Sequence, residues 1–263
     1  GTRSMSQSVL SRAAEVAVET ITETLHKQWK ESIVEMPWDE RAYYQEQYPK
    51  DQLFLHHTDG RTSAAASARY LEGSSIKTRV SGDSRGQHYS VGVPWWVDRD
   101  GTTIRTFDDR CWAHHNGTGR RGARRSIAIE LENLGFINER GGNFYNRYGE
   151  EIAEEQYPIH EHPEPWRGSR FYEAYTDAQV DSLILLIDDI LRRHPGIPRR
   201  IPQNFFPEVP LTRTQIARFK GILAHTFTVG YIPKRYAKYD VSIALRPHMD
   251  RICRALKLQR VRI

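Results

Sequence analysis

Hydrophobic and polar positions along this chain follow two periods, and the switches between them lay out short strands and helices. Leu53, Phe54 and Leu55 form an apolar run that passes through His56 and His57 to a turn-forming Asp59-Gly60 pair, which predicts a buried strand ending at a sheet edge. Ser126-Ile127-Ala128-Ile129-Glu130-Leu131-Glu132 alternates, so Ile127, Ile129 and Leu131 face one way. Ser126, Ala128, Glu130 and Glu132 face the other, with Glu132 expected in solvent. Residues 91–97 and 102–107, joined by Asp98-Arg99-Asp100-Gly101, read as a hairpin whose Pro94 marks an edge or a bulge. Ile222-Leu223-Ala224-His225 reads as another strand tip.

Helical spacing is clearest from residue 177 to about 193, where Val180, Leu183, Ile184, Ile187, Ile190 and Leu191 share one stripe. Thr176-Asp177-Ala178-Gln179 opens it as a capping box and Pro195-Gly196 stops it. Residues 8–30 carry Val9, Leu10, Ala13, Val16, Ala17, Ile21 and Leu25 at helical spacing, which predicts an N-terminal helix docked on the domain, or a partner helix. Shorter helices are expected from a Thr62 or Ser63 cap to about residue 71, from Thr212-Arg213-Thr214-Gln215 to Gly221, and over 242–256. Residues 136–170, rich in glycine, proline and aromatic side chains without a helical period, predict a long functional loop or disorder. No internal repeat occurs. Strands alternating with helices point to a mixed α/β fold, a single domain over residues 51–263 behind a helical extension and connector at 5–50. Residues 1–4, ahead of Met5, read as a cloning remnant.

Composition narrows the picture only a little. The 263 residues suffice for a sizeable core, and 27% of them are charged. A net charge of +5 favours an anionic partner without choosing between a cell-wall polymer and nucleic acid, and no nucleic-acid-binding motif accompanies it. Cys111 and Cys253 form neither a metal knuckle nor a disulfide framework. No stretch is long and apolar enough for a membrane span. No signal-peptide pattern is visible, so a cytoplasmic setting or release by a non-classical or phage-type route is expected. Oligomeric state leaves no mark.

The candidate chemistry lies at the strand tips. Two apolar tips end in histidine, at His56 and His225, and Asp240 follows His225 by 15 positions. Two imidazoles and a carboxylate are a zinc ligand set that leaves a fourth position for water. Zinc lowers the pKa of that water towards about 7 and polarises a carbonyl. Glu130 can handle the water's proton if the polar face of its strand meets the same cleft, and Lys238, two residues before Asp240, can face a developing oxyanion.

A family resemblance runs through these residues in order. Phe54-Leu55-His56-His57-Thr58-Asp59, Val97-Asp98-Arg99-Asp100-Gly101-Thr102, Trp112-Ala113-His114-His115-Asn116-Gly117 and Ser126-Ile127-Ala128-Ile129-Glu130-Leu131-Glu132-Asn133 come first. Tyr175-Thr176-Asp177-Ala178-Gln179, His225 and Lys238-x-Asp240 complete the set. Together they resemble the zinc-dependent N-acetylmuramoyl-L-alanine amidases, a family that includes amidase-type phage lysozymes and peptidoglycan-recognition proteins. The resemblance covers residues 53–242 and implies a central mixed sheet flanked by helices with a zinc cleft at one sheet edge. It further implies hydrolysis of the amide between N-acetylmuramic acid and L-alanine in peptidoglycan or muropeptides. Carried over by position, it assigns Zn2+ to His56, His225 and Asp240, catalysis to Glu130 and oxyanion stabilisation to Lys238. Val93 stands where some members that lack the glutamate carry a tyrosine, and the stretch from His225 to Asp240 is longer than in compact members.

Other motifs have plainer readings. His57 is expected to be structural, and His114 and His115 could touch substrate. His160-Glu161-His162 reads as a solvated loop rather than a second metal site. Arg120-Arg121 and Arg124-Arg125 read as a solvated loop or a contact for a stem-peptide carboxylate, and Trp95, Trp96, Trp112 and Trp166 as core. Two rival functions share this chemistry: a non-catalytic peptidoglycan receptor of the same fold, and a zinc peptidase or deacetylase. The absence of His-Glu-x-x-His argues against the common peptidase arrangement.

Overall fold

The strand around Leu53 is where the architecture starts. β2 (Gln52–His57) is buried along its whole length, as a continuous apolar run requires. In the computed structural model, which describes residues 18–228 and 239–263, it lies inside a six-stranded sheet. Its companions are β1 (Val34–Glu35), β3 (Trp95–Val97), β4 (Thr103–Arg105), β5 (Ser126–Leu131) and β12 (Gly221–Ala224), in the order β1-β4-β3-β5-β2-β12. β3, β5, β2 and β12 run parallel, while β4 is antiparallel to β3. The carboxyl ends of β5, β2 and β12 therefore share one edge, where open α/β sheets build their sites.

The two faces of the sheet are covered differently. Ile127, Ile129 and Leu131 pack with Leu183, Ile187 and Ile190 of α4 (Asp177–Arg193), the helix expected from its stripe. Ala128 and Trp96 pack on the other face with Ala64 and Ala68 of α2 (Ala64–Ser81) and with Trp38 and Phe107. α4 is wrapped more fully than an amphipathic stripe implies, since Asp181, Asp188 and Asp189 are buried too. Each of the three pairs with an arginine, Asp181 with Arg251, Asp188 with Arg192 and Arg199, and Asp189 with Arg193, so burial leaves no carboxylate uncompensated.

Several boundaries move from where the sequence places them. α1 (Glu23–Ser32) starts behind Thr22, whose hydroxyl accepts from the Leu25 N–H at 3.1 Å, rather than running through residues 18–22; residues 8–17 lie outside the described part. Trp29 on α1 is fully buried and its indole N–H donates to Thr103 Oγ1, so the segment before β2 is stitched to the sheet. α2 continues through Gly73, an open position where a side chain would meet nothing, and ends at Gly82 with φ +82°. In the first turn of α4, Gln179 does not close a capping box: its amide donates to the Val97 and Glu132 carbonyls instead. α5 (Arg213–Arg218) does carry a complete box between Thr212 and Gln215. The expected helix over 242–256 divides into a 3₁₀ stretch at Ile243–His248 and α6 (Met249–Leu256), because Pro247 supplies no N–H. A further short α-helix among the described residues is α3 (Gly119–Arg124).

The largest correction concerns residues 136–170, expected as a loop. They form β6 (Phe136–Arg140), β7 (Asn143–Tyr145), β8 (Glu151–Ile152) and β9 (Ile159–Trp166), which join β10 (Ser169–Glu173) in a five-stranded antiparallel sheet. Two-residue turns make this sheet possible. Gly141-Gly142 joins β6 to β7 and Arg167-Gly168 joins β9 to β10, all four residues with positive φ, as such hairpins demand. His160 and His162 thus sit on a strand, not in a loop. β11 (Arg200–Pro202) and β13 (Gln259–Val261) form a small parallel pair. Glu132, expected in solvent, is fully buried, takes a hydrogen bond from Ser67 Oγ at 3.1 Å and lies 3.9 Å from Arg99.

Candidate metal centre

His56 and His57 are neighbours on one strand end, and alternation sends them to opposite faces. His57 is 2.9 Å from Asp59 and 3.2 Å from the Tyr175 hydroxyl, the same hydroxyl that accepts from the Ser242 N–H. Burial pulls the His57 pKa down, but the Asp59 carboxylate outweighs it and the pKa is raised. A side chain at Gly135 would come within 2.8 Å of both His57 and Asp59, so this corner admits only glycine. His57 is a structural residue, and through Tyr175 it steadies the segment that carries Asp240.

His56 faces the other way and meets two partners from distant segments. His56 Nδ1 lies 3.1 Å from His225 Nδ1 and 3.1 Å from Asp240 Oδ2, and His225 Nδ1 lies 3.0 Å from that oxygen. Among the described residues this is the one group of three such side chains whose donor atoms converge. Three donors ringing one point suit a metal ion: tetrahedral zinc with bonds of about 2.0–2.1 Å holds its ligands about 3.3 Å apart. Burial brings the His56 pKa down to about 4, so the ring is neutral, the form that coordinates. For Asp240 burial acts upward, and the two histidines outweigh it, holding the carboxyl well below its usual range and ionised. Only the register of the sheet and the return of the chain after β12 bring these residues together.

Glu130 is the in-register neighbour of His56 across the β5–β2 pair, so its side chain leaves the sheet on the same face. It keeps partial exposure, as a group serving a cleft must. Lys238 lies outside the described residues. The second histidine pair behaves unlike the first. His114 is ringed by Tyr44, Tyr89 and Trp112, whereas His115 sits under His56, with His115 Nδ1 3.0 Å from His56 Nε2. Nothing in the sequence marked His115 as a support for His56. Arg125 forks onto Asp51, and with Arg121 and Gln52 it lines a hollow of about 440 Å³ at the amino ends of β2 and β5, the opposite edge from His56. Trp95, Trp96, Trp112 and Trp166 are all buried core residues.

Comparison with known proteins places the chain in a family. The sequence profile of the N-acetylmuramoyl-L-alanine amidase family matches residues 46–253. Similar solved structures include PlyL, at 13% identity and a TM-score of 0.45 over 85% of this chain and 96% of that one. LysC, an N-acetylmuramoyl-L-alanine amidase from Clostridium intestinale URNW, is 14% identical with a TM-score of 0.46 over 86% and 98%. A selenomethionine derivative of AmpD is 17% identical with a TM-score of 0.45 over 87% and 95%. No curated protein sequence matches the chain. With four-fifths of its sequence or so under one family profile and the His56 centre at the carboxyl edge of its sheet, the chain belongs to the N-acetylmuramoyl-L-alanine amidase family.

Proposed function

We propose that this protein is a zinc-dependent N-acetylmuramoyl-L-alanine amidase that hydrolyses the amide joining N-acetylmuramic acid to L-alanine in peptidoglycan or muropeptides. The observation that carries the reading is the ring of His56 Nδ1, His225 Nδ1 and Asp240 Oδ2 with edges of 3.0–3.1 Å, inside a chain of this family. Zinc bound there would supply Lewis-acid polarisation of the substrate carbonyl and acidify a water molecule. Glu130, on the His56 face of the sheet, takes the proton of the attacking water and returns it to the leaving amine of L-alanine. Lys238, assigned by resemblance, neutralises the oxyanion; Lys238→Ala should then lower kcat about a hundred- to a thousandfold with little change in KM. The carboxylate of Asp240 and the neutral ring of His56 need no proton rearrangement before loading.

A receptor of the same fold is the second reading, and the presence of all three donors together with Glu130 favours the enzyme. Mass spectrometry of muropeptides after digestion tests it. The expected products are an intact stem peptide with a free L-alanine amine and a sugar with a free lactyl carboxyl group. Cleavage within the stem peptide would point to a peptidase, and retention of uncleaved muropeptide to a receptor.

A further inference from the structure

We propose that His115 and Ser126 are positioning residues for His56, and that the main-chain carbonyl of Gly122 dictates which nitrogen of His56 keeps its lone pair. The contacts favour one proton order. Ser126 Oγ lies 2.8 Å from the Gly122 carbonyl oxygen and 3.5 Å from that of Ala123. Carbonyls only accept, so the serine hydrogen points to the main chain. The serine oxygen is then left to accept from His115 Nε2–H, at 2.7 Å. A neutral imidazole with its hydrogen on Nε2 offers a bare Nδ1. That nitrogen faces His56 Nε2 at 3.0 Å, so His56 Nε2 carries the hydrogen and donates it. What remains on His56 is the Nδ1 lone pair, aimed at the point shared with His225 Nδ1 and Asp240 Oδ2.

The reverse order would turn the Ser126 hydrogen towards His115 and away from the Gly122 carbonyl, 2.8 Å from the serine oxygen. It would put a hydrogen on His56 Nδ1 and let it donate to Asp240 Oδ2 at 3.1 Å. His225 Nδ1, 3.0 Å from the same oxygen, can fill that place, so the exchange gives up the Gly122 bond for one already available. Ser126 stands at the first position of β5, with its side chain on the same sheet face as His56, so the relay is anchored in the strand pairing itself. Outer partners of this kind fix the ring orientation and tautomer of a ligating histidine, and their loss typically weakens metal affinity about 10–100-fold.

The proton order stands on hydrogen-bond geometry alone; its consequence for zinc rests on the proposed function. Nitrogen-15 NMR of the metal-free full chain at neutral pH reads the first. Both His56 and His115 are expected to show a protonated Nε2 and a bare Nδ1, and a hydrogen on His56 Nδ1 would overturn the proposal. Competition with a chromophoric zinc chelator reads the second. His115→Phe should weaken zinc binding about 10–100-fold, and His115→Gln, whose side-chain carbonyl can accept from His56, should restore part of it. Ser126→Ala, a mild change, should mix the His115 tautomers and weaken zinc by a smaller factor. A His115→Phe protein that melts lower yet binds zinc as tightly as wild type would reduce His115 to packing and sink the proposal. Wild-type protein that shows the expected tautomers but takes up no zinc would remove the zinc reading and leave the relay standing.

Discussion

Arg99 and His56 both stand at the carboxyl edge of the central sheet among buried polar groups, yet the two clusters are wired differently. Around Arg99 donors meet acceptors in four hydrogen bonds. Its guanidinium forks onto both Glu173 oxygens at 2.8 Å, and two further N–H groups donate to the Thr62 and Gly60 carbonyls. Glu173 also accepts from the Leu134 N–H. Burial lowers the Arg99 pKa and Glu173 more than restores it, so the net shift is upward. Around His56 three acceptor-capable atoms crowd one point instead, and the far nitrogen of His56 is tied to His115. A cluster complete in itself is scaffold. Lone pairs converging on a common point mark a site built to receive something.

The comparison can be broken in order of expected effect. Removing the metal, by chelation or by His56→Ala, should abolish amidase activity; chelation should also lower the melting temperature, because ligand binding favours the folded state. Full activity in metal-depleted protein would place the His56 cluster with the Arg99 cluster as scaffold. Arg99→Met should cost about 3–5 kcal/mol of stability, since it strands a buried carboxylate. Zinc affinity per folded molecule should stay at the wild-type level, and a selective loss of zinc would show that the two clusters are coupled.

Glu130→Gln comes next. It keeps the size and hydrogen bonding of the side chain but cannot take a proton near neutral pH, so kcat should fall at least about a hundredfold while zinc and muropeptide binding persist. Normal turnover would remove Glu130 from the chemistry. The smallest effect belongs to Glu132, two residues on, which pairs with the scaffold. Burial raises its pKa, so the folded state holds the proton more tightly than the unfolded chain. Its contribution to stability is therefore present at low pH and lost as pH rises from the unfolded carboxyl range through the folded pKa. Glu132→Gln should flatten that part of the pH–stability curve and leave kcat alone. A steeper curve would show that the charged form is the one Arg99 and Ser67 hold.

Local chemistry determined much of this protein from the sequence alone. The apolar run at Leu53, the alternation at Ile127–Ile129–Leu131 and the stripe on α4 each encode burial within one element, and burial is what the structure shows. The turns of the second sheet were also written locally, in Gly141-Gly142 and Arg167-Gly168, but its strands lack the alternation that flags a half-buried sheet, and only the positive-φ hairpins betray them. Residue 132 shows the limit of alternation: past the end of β5 the chain no longer follows the strand, so the solvent face predicted for Glu132 became the Ser67–Arg99 pocket. The convergence of His56, His225 and Asp240, the placing of Glu130 beside His56 and the line from Gly122 through Ser126 and His115 were decided by tertiary structure. Strand order and register bring together residues up to 184 positions apart. Pairing of that kind depends on every other strand in the sheet, which is why no stretch of sequence carries it by itself.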